Sequence, residues 1–187
     1  MLVIDCCIRR EESATRRFYR AYLEAHGEIQ KIETVELAER GLAPLTADGL
    51  AERNDLLKAG KLDDPSFALA RQFRDADEIL IAAPYWDLSF PSLLKVYLER
   101  VCVTGITFGY TAEGIPQGYC RAKRLLYFST VGGFVGEHHL GFEYTRAVAG
   151  MLGISDCRAY TAEGLDIDPN RREQVLARAI EGLKTES

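Results

Sequence analysis

The sequence predicts an α/β chain: a three-layer sandwich around a parallel five-stranded sheet in the order 2-1-3-4-5, with helices on both faces. Three observations predict it. Short apolar runs alternate with amphipathic segments from Leu2 onward. The runs are nearly continuous in apolar residues, as strands buried on both faces are. No internal repeat or low-complexity linker interrupts residues 1–187, so one domain is expected. Strands alternating with helices imply right-handed crossovers that cover both sheet faces. In such a sheet ligands sit outside the carboxyl ends of the strands, at the point where the strand order reverses.

Leu2-Val3-Ile4 reads as the first strand. Ser13 can cap a helix through Phe18, Tyr19, Tyr22 and Leu23 that ends near Gly27. Ile29 to Val35 alternates and reads as a second strand. Residues 36–64 are the least regular part, with a short helix expected over Leu50–Lys58. A long insertion of this kind is usually functional or mobile. Asp64-Pro65 opens a helix that runs to about Asp75. Glu78 to Ala83 is the clearest central strand, stopped by Pro84. Pro91 starts a helix whose Leu94, Tyr97, Leu98 and Val101 share one buried face. Ile106 to Thr111 begins a hairpin that turns near Glu113-Gly114. Arg124 to Ser129 is a fourth core strand, halted by Gly132-Gly133, and a helix follows over Tyr144–Leu152. Ser155 to Thr161 is the fifth core strand, and Asp168-Pro169 opens the last helix.

Composition narrows the function. A net charge of −5 and a pI near 5.3 leave no basic footprint for nucleic acid and no cationic face for a membrane. No apolar stretch approaches the roughly 18–20 residues of a spanning helix. Met1 to Asp5 reaches an acid at once and has no basic leader, so no signal peptide is expected there. Five scattered cysteines argue against a disulfide framework and for a reducing, cytoplasmic setting. No Cys-x-x-Cys or His-x-x-x-His spacing supports a metal site.

The search for a site then reduces to three loops. The first, Cys6 to Thr15, runs from a strand end into a helix start, where Ser13 and Thr15 place hydroxyls beside unpaired backbone N–H groups. It is either an anion site or a plain helix cap, and it lacks the Walker and dinucleotide glycine patterns. The second, Ala83 to Pro91, sets Tyr85 and Trp86 between prolines, offering a flat apolar surface to a planar ring or packing under the next helix. The third, Ser129-Thr130-Val131-Gly132-Gly133-Phe134, lets backbone N–H groups approach a ligand closely, or is a simple turn. Adjacent Cys6 and Cys7 near a helix start invite a thiolate reading, set against burial as core filling on opposite sheet faces.

Taken with Ile81 to Leu88, Gly105 to Gly114, the Gly132-Gly133 loop, Gly150 to Ile154 and Ala162-Glu163-Gly164, the chain resembles the flavodoxin-like FMN-dependent NAD(P)H:quinone reductases and azoreductases over nearly its whole length. The resemblance implies FMN as cofactor and NADH or NADPH as co-substrate. It implies that Ser13, Thr15 and the first loop, from Cys6, grip the phosphate. Pro84, Tyr85, Trp86, Asp87 and Leu88 would line the isoalloxazine and ribityl side. Ser129, Thr130, Gly132 and Gly133 would reach the pyrimidine end. Residues 36–64 and the hairpin near 108–114 would shape the substrate pocket. It also implies a homodimer and a small aromatic acceptor, a quinone, azo or nitro compound, reduced by two-electron ping-pong transfer. No side-chain nucleophile is required and none is assigned. Tyr127, Tyr110, His138 and His139 are the available proton donors, each read first as structural or solvent-facing.

Four positions depart from the family pattern. Cys6 stands where serine is common, Ala14 and Val131 where polar residues are common, and Asp87 where an asparagine donates. A thiol is a weak donor and an ionised carboxylate only accepts. They motivate a rival expectation: a flavodoxin-like electron-transfer or binding protein whose flavin site is altered or lost. A hydrolase reading fails for want of a Gly-x-Ser-x-Gly elbow.

Overall fold

The computed structural model describes residues 1–26 and 31–183. Five strands form one parallel sheet: β1 (Leu2–Asp5), β2 (Glu33–Glu36), β3 (Ile79–Ala82), β6 (Arg124–Thr130) and β7 (Asp156–Ala162). Their spatial order is β2-β1-β3-β6-β7, which is the expected 2-1-3-4-5 once the separate hairpin is set aside. That hairpin, β4 (Phe108–Tyr110) with β5 (Pro116–Gly118), is antiparallel. The helices are α1 (Ala14–Ala25), α2 (Ala47–Lys58), α3 (Ala68–Asp75), α4 (Ser92–Val101), α5 (Leu140–Met151) and α6 (Arg172–Leu183).

The period of two along each strand separates the core into two layers. Ile4, Ile79, Ile81, Leu125 and Tyr127 face Phe73 of α3, Leu94 and Tyr97 of α4, and Ala149 of α5. Val3, Leu80, Ala82, Leu126 and Phe128 face Phe18 and Tyr22 of α1 and Leu176 of α6. Cys6 and Cys7 continue that alternation, one in each layer, and both are buried.

Several boundaries differ from expectation for identifiable reasons. The Asp64 carboxylate caps a 3-10 turn over Pro65–Phe67 before α3 begins. Asp168 does the same over Pro169–Arg171 ahead of α6. His139 caps α5, so that helix starts four residues before Tyr144. The second strand runs over Glu33–Glu36; Gly27 and Ile29, where a helix end and a strand start are expected, lie outside the described residues. Residues 36–64 carry α2, whose Arg53 donates to the carbonyls of Glu99 and Cys102 and so closes the C-terminal end of α4. The hairpin lies tight against α5, because a Cβ on Gly118 would run into the Leu152–Gly153 backbone.

Candidate functional site

A cleft opens at the carboxyl ends of β1, β3, β6 and β7, at the switch point of the sheet. Four loops wall it: Ile8 to Thr15, Pro84 to Trp86, Thr130 to Gly132, and a fourth contributing Leu165, Asp166 and Arg172.

The first loop rests on a buried ionic anchor. Asp5 and Arg16, 1% and 3% exposed, meet with Arg16 Nε 2.7 Å from Asp5 Oδ2. Asp5 also accepts from the backbone N–H of Cys7 at 2.7 Å and from the Tyr19 hydroxyl at 2.9 Å. Arg16 donates onward to Glu11 in the loop, at 3.1 Å, and to Glu36 at the end of β2, at 3.0 Å. One guanidinium therefore ties two strand ends to the loop between them. Ser13 caps α1, its Oγ accepting from Arg16 N at 3.3 Å, and its side chain also meets that of Cys7. Thr15 is fully buried, with its Oγ1 2.6 Å from Thr130 Oγ1. That contact joins the first loop to the third. Arg9 borders the cleft with no ion-pair partner among the described residues.

The second loop is a two-residue hairpin. Trp86 and Ser89 exchange backbone hydrogen bonds of 3.1 and 2.8 Å, and Asp87 and Leu88 between them have φ of +49° and +66°. Two successive positive φ values define a type I′ turn, which favours Asn-Gly. Trp86 and Leu88 stand 41% and 65% exposed. Tyr85 N donates to Thr130 O, and the Tyr85 ring takes His139 edge-on at 5.1 Å.

The third loop is stitched to the fourth. Asp166 N donates to Gly132 O at 2.8 Å and Gly164 N to Gly133 O at 2.7 Å. The Asp166 carboxylate lies against the open Cα face of Gly132. Arg172 pairs with that same carboxylate. Val131 turns inward at 2% exposure.

Of the residues singled out from sequence, Ser13, Thr15, Pro84, Tyr85, Trp86, Thr130 and Gly132 line the cleft. Cys6, Asp87, Leu88, Ser129 and Gly133 do not. The Cys6 side chain sits in the core, where burial pushes the thiol up to about 12; burial and the neighbouring Asp5 carboxylate push Cys7 up as well. Of the two readings, core filling on opposite sheet faces is the one the burial matches. Both sulfurs are protonated at neutral pH because neither sees water. Ser129 Oγ is buried and has no hydrogen-bond partner. Tyr127 is likewise buried with an unpartnered hydroxyl, and burial raises its pKa. No residue of 36–64 borders the cleft. Sequence reasoning missed the fourth loop, although Asp168-Pro169 already marked a strand-to-helix turn at the same sheet edge.

A family model described as "Flavodoxin-like fold" matches residues 1–186. The chain belongs to the flavodoxin-like family. Among curated relatives of this flavodoxin-like chain is an FMN-dependent NADH:quinone oxidoreductase 2 of Clostridium acetobutylicum. It is 37% identical over 162 residues, covering 84% of this chain and 80% of that protein. An FMN-dependent NADH:quinone oxidoreductase 1 of Xanthomonas euvesicatoria pv. vesicatoria is 34% identical, covering 100% of this chain and 95% of that protein. The fold matches that of an FMN-dependent NADH-azoreductase from Bacillus anthracis str. Ames Ancestor solved with FMN, with a TM-score of 0.82 at 22% identity over 98% of this chain and 94% of that one.

The cleft suits a flavin nucleotide. The start of α1 with the Ser13 side chain, and Arg9 with no ion-pair partner among the described residues, would suit an anion. Pro84 to Trp86 form a flat apolar wall, and Gly132 leaves backbone open where a side chain would obstruct.

Proposed function

We propose that this chain is an FMN-dependent NADH:quinone oxidoreductase that also reduces azo and related aromatic acceptors. The reading holds residues 1–187 to be one flavodoxin-like domain, working as a cytoplasmic homodimer. The observation that carries it is the meeting of an anion seat and an aromatic wall at the switch point, in a chain similar end to end to relatives bearing that activity's name. The chemistry supplied by bound FMN is two-electron transfer from a nicotinamide to an aromatic acceptor.

The chain's own residues bind and orient. Ser13, with the N–H groups that open α1, holds the phosphate; Thr15 fixes the geometry by gripping Thr130. Pro84, Tyr85 and Trp86 support one edge of the ring system, with Asp87 and Leu88 setting the turn that aims Trp86. Thr130, Gly132 and Gly133 present backbone to the pyrimidine end, where donors stabilise developing negative charge. Cys6 supports that floor from below. The five free cysteines are in keeping with a reducing compartment. Among the described residues no helix is long and apolar enough to cross a membrane. Exposed Trp86, Leu88, Leu140 and Tyr144 supply apolar surface for a second copy.

The test is steady-state turnover of the FMN-loaded chain with NADH and a benzoquinone. Parallel double-reciprocal lines are expected, as one site serves two substrates in turn. NADH oxidation no faster than free FMN supports would overturn the assignment.

A further inference from the structure

Arg172 and Asp166 belong to the loop that sequence reasoning missed, and the function above gives them no task. Both border the cleft, whose lining also includes Ser13, Ala14 and Thr15 at the start of α1. The placement is built. Arg17, in the first turn of α1, donates to both carboxylate oxygens of Glu173 at 2.9 and 2.7 Å. That staple ties the start of α6 to the start of α1, and Arg172 is the residue next to it. The Arg172 guanidinium meets the Asp166 carboxylate, which is parked against Gly132.

The pair is poised for exchange. Arg172 and Asp166 are 37% and 66% exposed, so water competes for both and the pair holds weakly. The cleft carries two guanidinium groups, Arg9 and Arg172, against two carboxylates, Glu12 and Asp166. With Arg172 turned to Asp166, only Arg9 is free of an ion pair. A phosphate dianion at the α1 start offers the guanidinium more charge and a matching fork of oxygens. Asp166 then needs only to rotate into solvent.

We propose that Arg172 is a specificity-determining residue that exchanges Asp166 for the phosphate of the flavin nucleotide, so that the chain takes FMN in preference to riboflavin. The inference rests on the FMN reading above.

The experiment titrates the full-length apoprotein with FMN and, separately, with riboflavin, following flavin fluorescence at low and high salt. Wild type binds FMN more tightly. Arg172→Gln weakens FMN binding about tenfold, the size expected for one charge-assisted hydrogen-bonding group, and leaves riboflavin within about twofold. Asp166→Asn tightens FMN several-fold, more at low salt, with riboflavin unmoved. Equal shifts for both flavins, or an Arg172→Gln protein with wild-type FMN affinity, overturn the exchange and leave the FMN reading standing. A wild type that binds neither flavin overturns both.

Discussion

The first and second loops border one cleft and are held there by opposite means. The first is anchored from below: Arg16 and Asp5 are almost wholly buried, and every bond they make fixes a strand end or the loop between. The second hangs on a turn whose two central residues sit in the left-handed region with side chains, at Asp87 and Leu88, where glycine and asparagine are preferred. The difference matches what each is proposed to hold. A phosphate is small, charged and fixed in geometry, so its seat benefits from rigidity. A flat ring and successive acceptors are held by surface contact, which an exposed Trp86 offers without a network behind it.

The largest expected effect breaks the anchored side. Arg16→Met removes the cation from among Asp5, Glu11 and Glu36 and leaves the Asp5 carboxylate buried beside Cys7 N–H and the Tyr19 hydroxyl alone. Breaking one side of a buried pair costs about 3–5 kcal/mol. Urea unfolding measures it; a loss under about 1 kcal/mol would show that the network does not carry the loop. The second change sharpens the other side. Leu88→Gly relieves a left-handed leucine whose side chain is mostly solvent-exposed, and stability rises by about 1 kcal/mol. An unchanged or lower urea midpoint would mean that Leu88 makes compensating contacts.

The smallest effect concerns His139, behind Tyr85. Its Nδ1 accepts from Phe142 N at 3.2 Å, which only the neutral ring can do, and burial lowers its pKa from the ordinary 6.5. Glu143, His138, Tyr85 and Tyr127 are titratable groups nearby, the two tyrosine rings packing edge-on against His139; Glu143 acts against that shift. Because the folded value is the lower one, the unfolded chain takes the proton first as pH falls. Stability present above pH 6.5 is therefore lost as pH drops through the folded value. Urea midpoints between about pH 7 and pH 5 fall less in His139→Asn, which keeps a capping acceptor without titrating. An identical fall in both proteins would remove His139 as the cause.

What was legible in the sequence follows the range of the interactions. β3 announces itself because Ile79 to Ala83 is one apolar run ended by Pro84, and the alternation of strands with helices marks a parallel sheet whose five strands match the 2-1-3-4-5 order. Cys6 and Cys7 fall on opposite faces, as the strand period requires. Ser13 shows as a cap because its partner is three residues away. The Thr15–Thr130 contact spans 115 residues, and no local pattern encodes it. Asp5 reads as the acid that ends a strand, and Arg16 as a helix-surface charge, until the fold brings them together. The left-handed turn at Asp87-Leu88 carries no glycine or asparagine to betray it. Arg172 reaches the cleft only because α6 lies beside α1, a consequence of topology and not of spacing.

The central claim is that this cleft holds FMN for NADH-driven reduction of an aromatic acceptor. The most direct measurement is the visible spectrum of the purified chain after incubation with excess FMN and removal of the unbound fraction. The account predicts about one equivalent of retained flavin, bleached by NADH and recoloured by a quinone. A protein that stays colourless after reconstitution would contradict it.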